Sequence, residues 1–218
     1  MLAPRTILEV GAHEATFSCK LKKRLPSARV IAFEANPDVH AKYQDEVRAQ
    51  GVEYISQCIS DVSETVRFSM PIHPKHGAAT GMGSVMTDTG YEEFKTYDVP
   101  AVPLDDFLGA EADLTSVIWV DVEGALGKVM GGAQRTLASC AALYGEIETK
   151  QRWAGQATDQ EIVPVLLSHG LVPLLRDVQR HWQYNILCIR DALIDGNVSR
   201  KCVEIALQMG SGAASGAL

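Results

Sequence analysis

The 218-residue sequence lacks several features that would each assign a class on their own. No apolar run approaches the ~20 residues needed to span a bilayer. The first residues, Met1 to Thr6, have no basic and apolar leader pattern, so no secretory signal is expected. The cysteines are odd in number and scattered (Cys19, Cys58, Cys140, Cys188 and Cys202), with no CxxC pair. That excludes a sequence-evident zinc site or disulfide framework and suits reduced thiols in a cytoplasmic protein. There is no basic excess either. The formal charge is −7, which argues against a sequence-independent grip on nucleic acid. No membrane partner is expected. With 46% hydrophobic and 22% charged residues, the chain has the composition of a globular protein.

What is present is an alternation of strand and helix signals. Thr6 to Val10 reads as a buried strand ending at Gly11, and Arg29 to Phe33 as a second ending at Glu34. Between them, Ala15 to Leu25 is helix-compatible, with cations in its last turns and Pro26 as the stop. Asn36 and Pro37 read as the cap and first residue of a helix closed by Gly51. Val52 to Ile59 suggests a third strand, and Thr65 to Met70 a hairpin arm. Residues 71–100 carry many Gly and Pro and show no period, which suggests an irregular flap over an acceptor site. Alternation resumes over Val99 to Leu108. Ser116 to Val120 is the most apolar strand candidate, and Ala125 to Leu137 reads as one amphipathic helix. Ala141 to Ile147, Leu171 to Leu175 and Tyr184 to Ile189 are further strands, with a helix near Asp159 to Ser168. The pattern gives one α/β domain over 1–209 with a mostly parallel sheet, and a flexible Gly/Ala/Ser-rich tail over 210–218.

In such sheets ligands sit beyond the carboxyl ends of the strands. Gly11 and Ala12 allow close approach of a ligand at the first strand end. Glu34 follows Gly11 by 23 residues and is placed to accept from ribose hydroxyls. The turn is not GxGxxG, so it makes no pyrophosphate cradle. That disfavours an NAD-type dehydrogenase and favours S-adenosyl-L-methionine, with Glu9 near its ammonium. Ser60 and Asp61, after the third strand, would lie beside the adenine. Asp121 and Glu123 follow the most apolar strand and precede Gly124. Asp121 is assigned to the amino acid end of the cofactor or a helper water, and Glu123 to the acceptor hydroxyl.

Six segments together resemble the FkbM-type S-adenosylmethionine-dependent methyltransferases. They are Ile7 to Ala12 with Val30 to Pro37, Val102 to Leu108, Trp119 to Ala125, and Tyr144 to Glu148, with Gly131-Gly132-Ala133 between the last two. The resemblance runs from about Thr6 to Arg190. It implies a Rossmann-like, seven-stranded sheet with helices on both faces, and methyl transfer to a hydroxyl of a sugar or natural product. Ala35 and Asn36 join the cofactor residues through it. The family usually has Asp-Val-Gly-Ala-Asn and a Gly two residues on; here Glu9, His13 and Ala15 stand at the three differing places. His13 is read as a hydrogen bonder in the cofactor loop, and Ala15 as tolerable if its backbone is helical.

Candidates for a base are Glu123, Asp121, Glu148, His76 and His181. His73 and His76 form an HxxH without a third ligand in sequence, so no metal is expected. His40 and His169 are read as solvated helix residues, Trp153 and Trp182 as core or interface, and Tyr91, Phe94 and Tyr97 as lining for the acceptor. A non-catalytic module with the same fold is the other alternative. The expected partner is a small-molecule or glycan acceptor. With so little chain before the first strand, its recognition is expected from residues 71–100, from the region after Glu148, or from a second copy in a possible homodimer.

Overall fold

The computed structural model describes residues 4–73, 75, 77–87, 90–109 and 115–213. The chain starts with β1 (Thr6–Val10), α1 (Thr16–Arg24) and β2 (Arg29–Glu34). Next come α2 (Pro37–Ala49) and β3 (Glu53–Ser56). The Asn36 side chain caps α2 by accepting from Asp38 N and Val39 N. Then β4 (Cys58–Ile59), β5 (Thr65–His73), β6 (Gly77–Ala78), a 3₁₀ turn (Thr80–Met82) and β7 (Phe94–Val102) form a smaller unit. After α3 (Leu104–Leu108) the chain runs through β8 (Ser116–Val120), α4 (Leu126–Gly131), α5 (Gln134–Ser139) and β9 (Ala142–Glu148). It continues with α6 (Asp159–Ser168), β10 (Leu171–Arg176), β11 (Gln183–Arg190) and α7 (Gly196–Ala213).

Among the described residues the main sheet has seven strands in the order β10-β11-β9-β8-β1-β2-β3. β1 pairs in parallel with both β2 and β8, while β11 is antiparallel to both its neighbours. Each core strand alternates between two apolar layers. Leu8, Val10, Ile31 and Phe33 face the layer shared with α4, α5 and α6. Ile7, Val30 and Ala32 face the layer shared with α1 and α2. Near-continuous apolar strands are the signature of a sheet covered on both sides. From β1 the chain winds outward to β3, then returns to β8 on the other side of β1. The switch point therefore lies between the ends of β1 and β8, where a ligand crevice opens.

Several boundaries differ from the sequence reading. The apolar stretch 52–59 is two strands. Gln57 N bonds back to Glu34 O and Ile55 O, and beyond it Cys58 and Ile59 pair with Ala101 and Val102 of the smaller sheet. That sheet has the order β4-β7-β5-β6. β5 runs to His73 and β7 begins at Phe94, so both ends of 71–100 are hairpin arms rather than irregular chain. The 99–108 stretch is the end of β7 followed by α3.

The helix expected over 125–137 is two, α4 and α5, and Gly132 between them packs where a Cβ would fall 1.9 Å from Ser60 O. The Asp105 carboxylate restarts it as α5 by accepting from Arg135 N, Thr136 N and Thr136 Oγ1 at 2.7, 2.8 and 2.7 Å. The expected tail from 210 begins inside α7, which runs to Ala213; residues 214–218 lie outside the described residues. No helix among those described is long and apolar enough to cross a membrane.

Candidate functional site

A cleft open to solvent lies at the switch point. Its floor is made by the two turns that end β1 and β8. Gly11 has φ 84°, and a Cβ there would sit 1.8 Å from Asp121 O. Glycine is thus required for the two strand ends to touch, and only incidentally opens the way to a ligand. His13 and Ala15 also have positive φ, 47° and 51°. His13 replaces an Asn of the resembling pattern at a left-handed position both residue types tolerate. Ala15 replaces a Gly, and its backbone is left-handed rather than helical. That conformation costs an L-residue about 1–2 kcal/mol.

Glu34 is buried at the wall of the cleft. Its Oε2 accepts from His13 N at 2.6 Å and its Oε1 from Asn36 N at 2.7 Å. Each oxygen keeps one lone-pair direction for a ligand hydroxyl. Burial pushes its carboxyl up, and the two amides pull it back down.

At the other end, Glu123 has φ 38° and Gly124 φ 79°. Ser84 Oγ donates to Glu123 O at 2.7 Å, and Trp153 packs under Gly124. A strained residue persists where its surroundings over-determine it. Burial, with Asp121 and Glu148 adding to it, pushes the Glu123 carboxyl up to about 7, against the pull of Arg152 and Arg180. Asp121 meets solvent through the open cleft, yet the surrounding protein still holds its carboxyl above the ordinary value.

Gly11, His13, Glu34, Ala35, Asp121 and Glu123 line the cleft as read from the sequence. The other candidates do not. Glu9 points to α1, where its Oε2 accepts from Ser18 N at 3.0 Å, and burial pushes it up to about 7. It thus steadies the loop from behind instead of reaching a ligand directly. Ala12 is buried in the layer beneath α1. Asn36 is a helix cap whose Nδ2 donates to Met70 Sδ at 3.4 Å. Ser60 is buried under Gly132, and Asp61 turns outward to Lys128 Nζ at 3.4 Å, because β4 leaves the main sheet. Gln57, Cys58 and Ile59 take the place expected for Ser60 and Asp61.

His76 lies outside the described residues. Glu148 is buried and His181 is exposed, neither on the cleft wall. Tyr91, Phe94 and Tyr97 do not line it either. Tyr97 instead donates to Asp38 Oδ2 at 2.5 Å, tying the hairpin to α2. His40, expected to be solvated, is buried and stacks on Tyr54 with ring centroids 4.7 Å apart.

The roof of the cleft was missed: Phe68, Thr80, Gly83, Ser84 and Val85 come from the smaller sheet and its 3₁₀ turn. Glu146 was noted only inside a motif. The register pairs Val120 with Gly145, so Glu146 is the strand neighbour of Asp121. Burial and the surrounding acids push it up to about 8.

Residues 9–173 match the methyltransferase FkbM domain, three quarters of the chain. The chain belongs to the FkbM methyltransferase family. It is a class I methyltransferase fold, and S-adenosylmethionine is its methyl donor. A 2-O-methyltransferase, NoeI, of Sinorhizobium fredii is 25% identical over 181 residues, 76% of this chain and 72% of that protein. Among solved structures, methyltransferase FkbM from Methylobacillus flagellatus matches with a TM-score of 0.51 at 15% identity. That alignment covers 85% of this chain but only 43% of the other, so this chain spans less than half its length. The fibrillarin/Nop5p complex matches with a TM-score of 0.50 at 10% identity, over 86% of this chain and 73% of that one. These structural likenesses bear on the fold.

The cleft fits the donor. An apolar wall of Ile59, Phe68 and Val85 suits an adenine, Glu34 suits a ribose, and acids at the far end suit an ammonium and a sulfonium. Among the described residues the turn after β1 carries Gly11 alone, without the further glycines of a pyrophosphate cradle that would suit NAD.

Proposed function

We propose that the protein methylates a hydroxyl group of a small molecule or glycan. The reading is carried by the cleft at the β1/β8 switch point, acid at both ends, in a chain of the FkbM family. The relative named as a 2-O-methyltransferase supports oxygen as the nucleophile. The formal charge of −7 supports an acceptor other than nucleic acid.

When bound, the donor supplies a methyl group activated on a sulfonium. Glu34 would accept from the ribose hydroxyls, and the turn at Gly11 would form the floor beneath the donor. Asp121 holds the ammonium, directly or through water. Glu123 orients the acceptor hydroxyl and takes its proton as the oxygen attacks in line. Holding the nucleophile in line supplies much of the rate, and the base adds about 10²–10⁴-fold. Five free cysteines support work in a reducing cytoplasm.

Calorimetry with S-adenosylmethionine, S-adenosylhomocysteine and NAD comes first. Binding of the first two and not the third is expected. NAD binding alone would favour a dehydrogenase, and no binding a module that has lost its cofactor. Methyl-labelled donor is then incubated with a panel of methyl glycosides and simple alcohols. Label on an ether oxygen is the expected product; label on nitrogen or carbon alone overturns the reading.

A further inference from the structure

The roof over the cleft is stitched to its floor at two points of different character. One is buried. Ser84 is 2% exposed, exchanges backbone bonds with Ser69 at 2.8 and 3.0 Å, and donates its hydroxyl to Glu123 O. Beside it Gly83 lies flat on the Phe68 ring, where a Cβ would come within 2.2 Å. The other is at the surface. Thr80 opens the 3₁₀ turn, and its Oγ1 lies 3.1 Å from His13 Nε2, across 67 residues of sequence. His13 is a fixed post, since its N is held by Glu34 Oε2 at 2.6 Å and its carbonyl accepts from the Tyr54 hydroxyl. Thr80 and His13 both line the cleft, and exposed Gly81 follows Thr80.

We infer that Thr80, acting through His13, retains the methyl donor: the His13–Thr80 contact is a latch, and the Ser84–Glu123 contact is the hinge of the same roof. The solvent-exposed hydrogen bond is the weaker of the two and opens first. The turn carrying Thr80 lifts at that end, the donor passes, and the latch re-forms over it. The buried anchor keeps the roof in register with the Glu123 turn throughout. The inference rests on the donor reading above.

The test is the release rate of radiolabelled S-adenosylhomocysteine from the full chain after rapid dilution. Thr80→Val keeps the shape and removes the hydroxyl; Thr80→Ser keeps the hydroxyl. Release about three- to tenfold faster is expected from Thr80→Val, the range set by one modest hydrogen bond. Thr80→Ser is expected to restore the slow rate, and Thr96→Val, on β7 outside the cleft, to leave it unchanged. The thermal midpoints of all three are expected to match that of the unmodified chain. Unchanged release from Thr80→Val, or equally fast release from Thr80→Ser, overturns the latch. A chain that binds no S-adenosylhomocysteine at all overturns the donor reading and the latch with it.

Discussion

The two ends of the cleft carry buried carboxyls with different neighbours, backbone amides at one end and other acids at the other. At the donor end, burial still holds the Glu34 carboxyl above its ordinary value, and two backbone amides aimed at its two oxygens counter part of that rise. At the acceptor end, burial raises the carboxyls of Glu123, Glu146 and Glu148, and neighbouring acids, solvent-facing Asp121 among them, add to the rise. Among the described residues, Glu146 Oε1 is closed off from solvent without a hydrogen-bond partner. The same burial thus gives two outcomes. A carboxylate met by fixed dipoles remains a hydrogen-bond acceptor, which suits binding. Glu123 and Glu146, pushed up by burial and then by neighbouring acids to about 7 and about 8, suit moving a proton.

The sharpest way to break this contrast is at Glu123. Glu123→Gln is expected to lower turnover about 10²–10⁴-fold, measured at saturating donor. In the unmodified chain turnover is expected to rise with pH through about 7, because the base acts only when ionised. A flat profile from pH 6 to 8.5 in the unmodified chain would remove Glu123 as the base.

Next in size is the stability of the donor end. Glu34→Ala leaves the amides of His13 and Asn36 unpartnered, and denaturant unfolding should show a loss of about 2–4 kcal/mol. An unchanged midpoint would show that the two amides find other acceptors.

Glu9 tests the burial argument where no ligand is involved. Its folded pKa of about 7 lies above the ordinary 4.5, so the folded chain holds this proton more tightly than the unfolded one. Its contribution therefore favours folding most at low pH, and is lost as pH rises from about 4.5 to about 7. Glu9→Gln should raise the thermal midpoint at pH 8, by about 1–3 kcal/mol of stability, and do little at pH 4.5. A variant less stable at pH 8 would mean the Ser18 amide requires the full negative charge.

The smallest effect is expected at Asp105. Its carboxylate holds the start of α5 and does not line the cleft. Asp105→Ala should cost about 1–2 kcal/mol and leave donor affinity unchanged. A loss of affinity would place it in the site's support.

The strand ends were legible because chemistry and topology coincide there. Gly11, Glu34, Asp121 and Glu123 each follow a run of apolar residues that must be a central strand, and such strands end at the ligand crevice. The break at Gln57 was not legible, since 52–59 is continuously strand-like and only its pairing with Ala101 and Val102 diverts it. Gly132 packs against Ser60, 72 residues earlier. The roof was hidden for the same reason. Thr80 and Ser84 reach the cleft through a hairpin that pairs 65–71 with 94–100, and a residue-by-residue period carries no trace of it. α7 was overlooked because its glycines and polar residues mask the spacing of Val198, Cys202 and Ile205.

The division between the two ends is tested most directly by titrating S-adenosylhomocysteine into the unmodified chain, Glu34→Ala and Glu123→Gln in parallel calorimetry. Affinity is expected to fall about tenfold or more in Glu34→Ala, the loss of hydrogen bonds to a charged group, and to stay within about twofold in Glu123→Gln. Collapse of binding in Glu123→Gln with full affinity in Glu34→Ala would contradict the account.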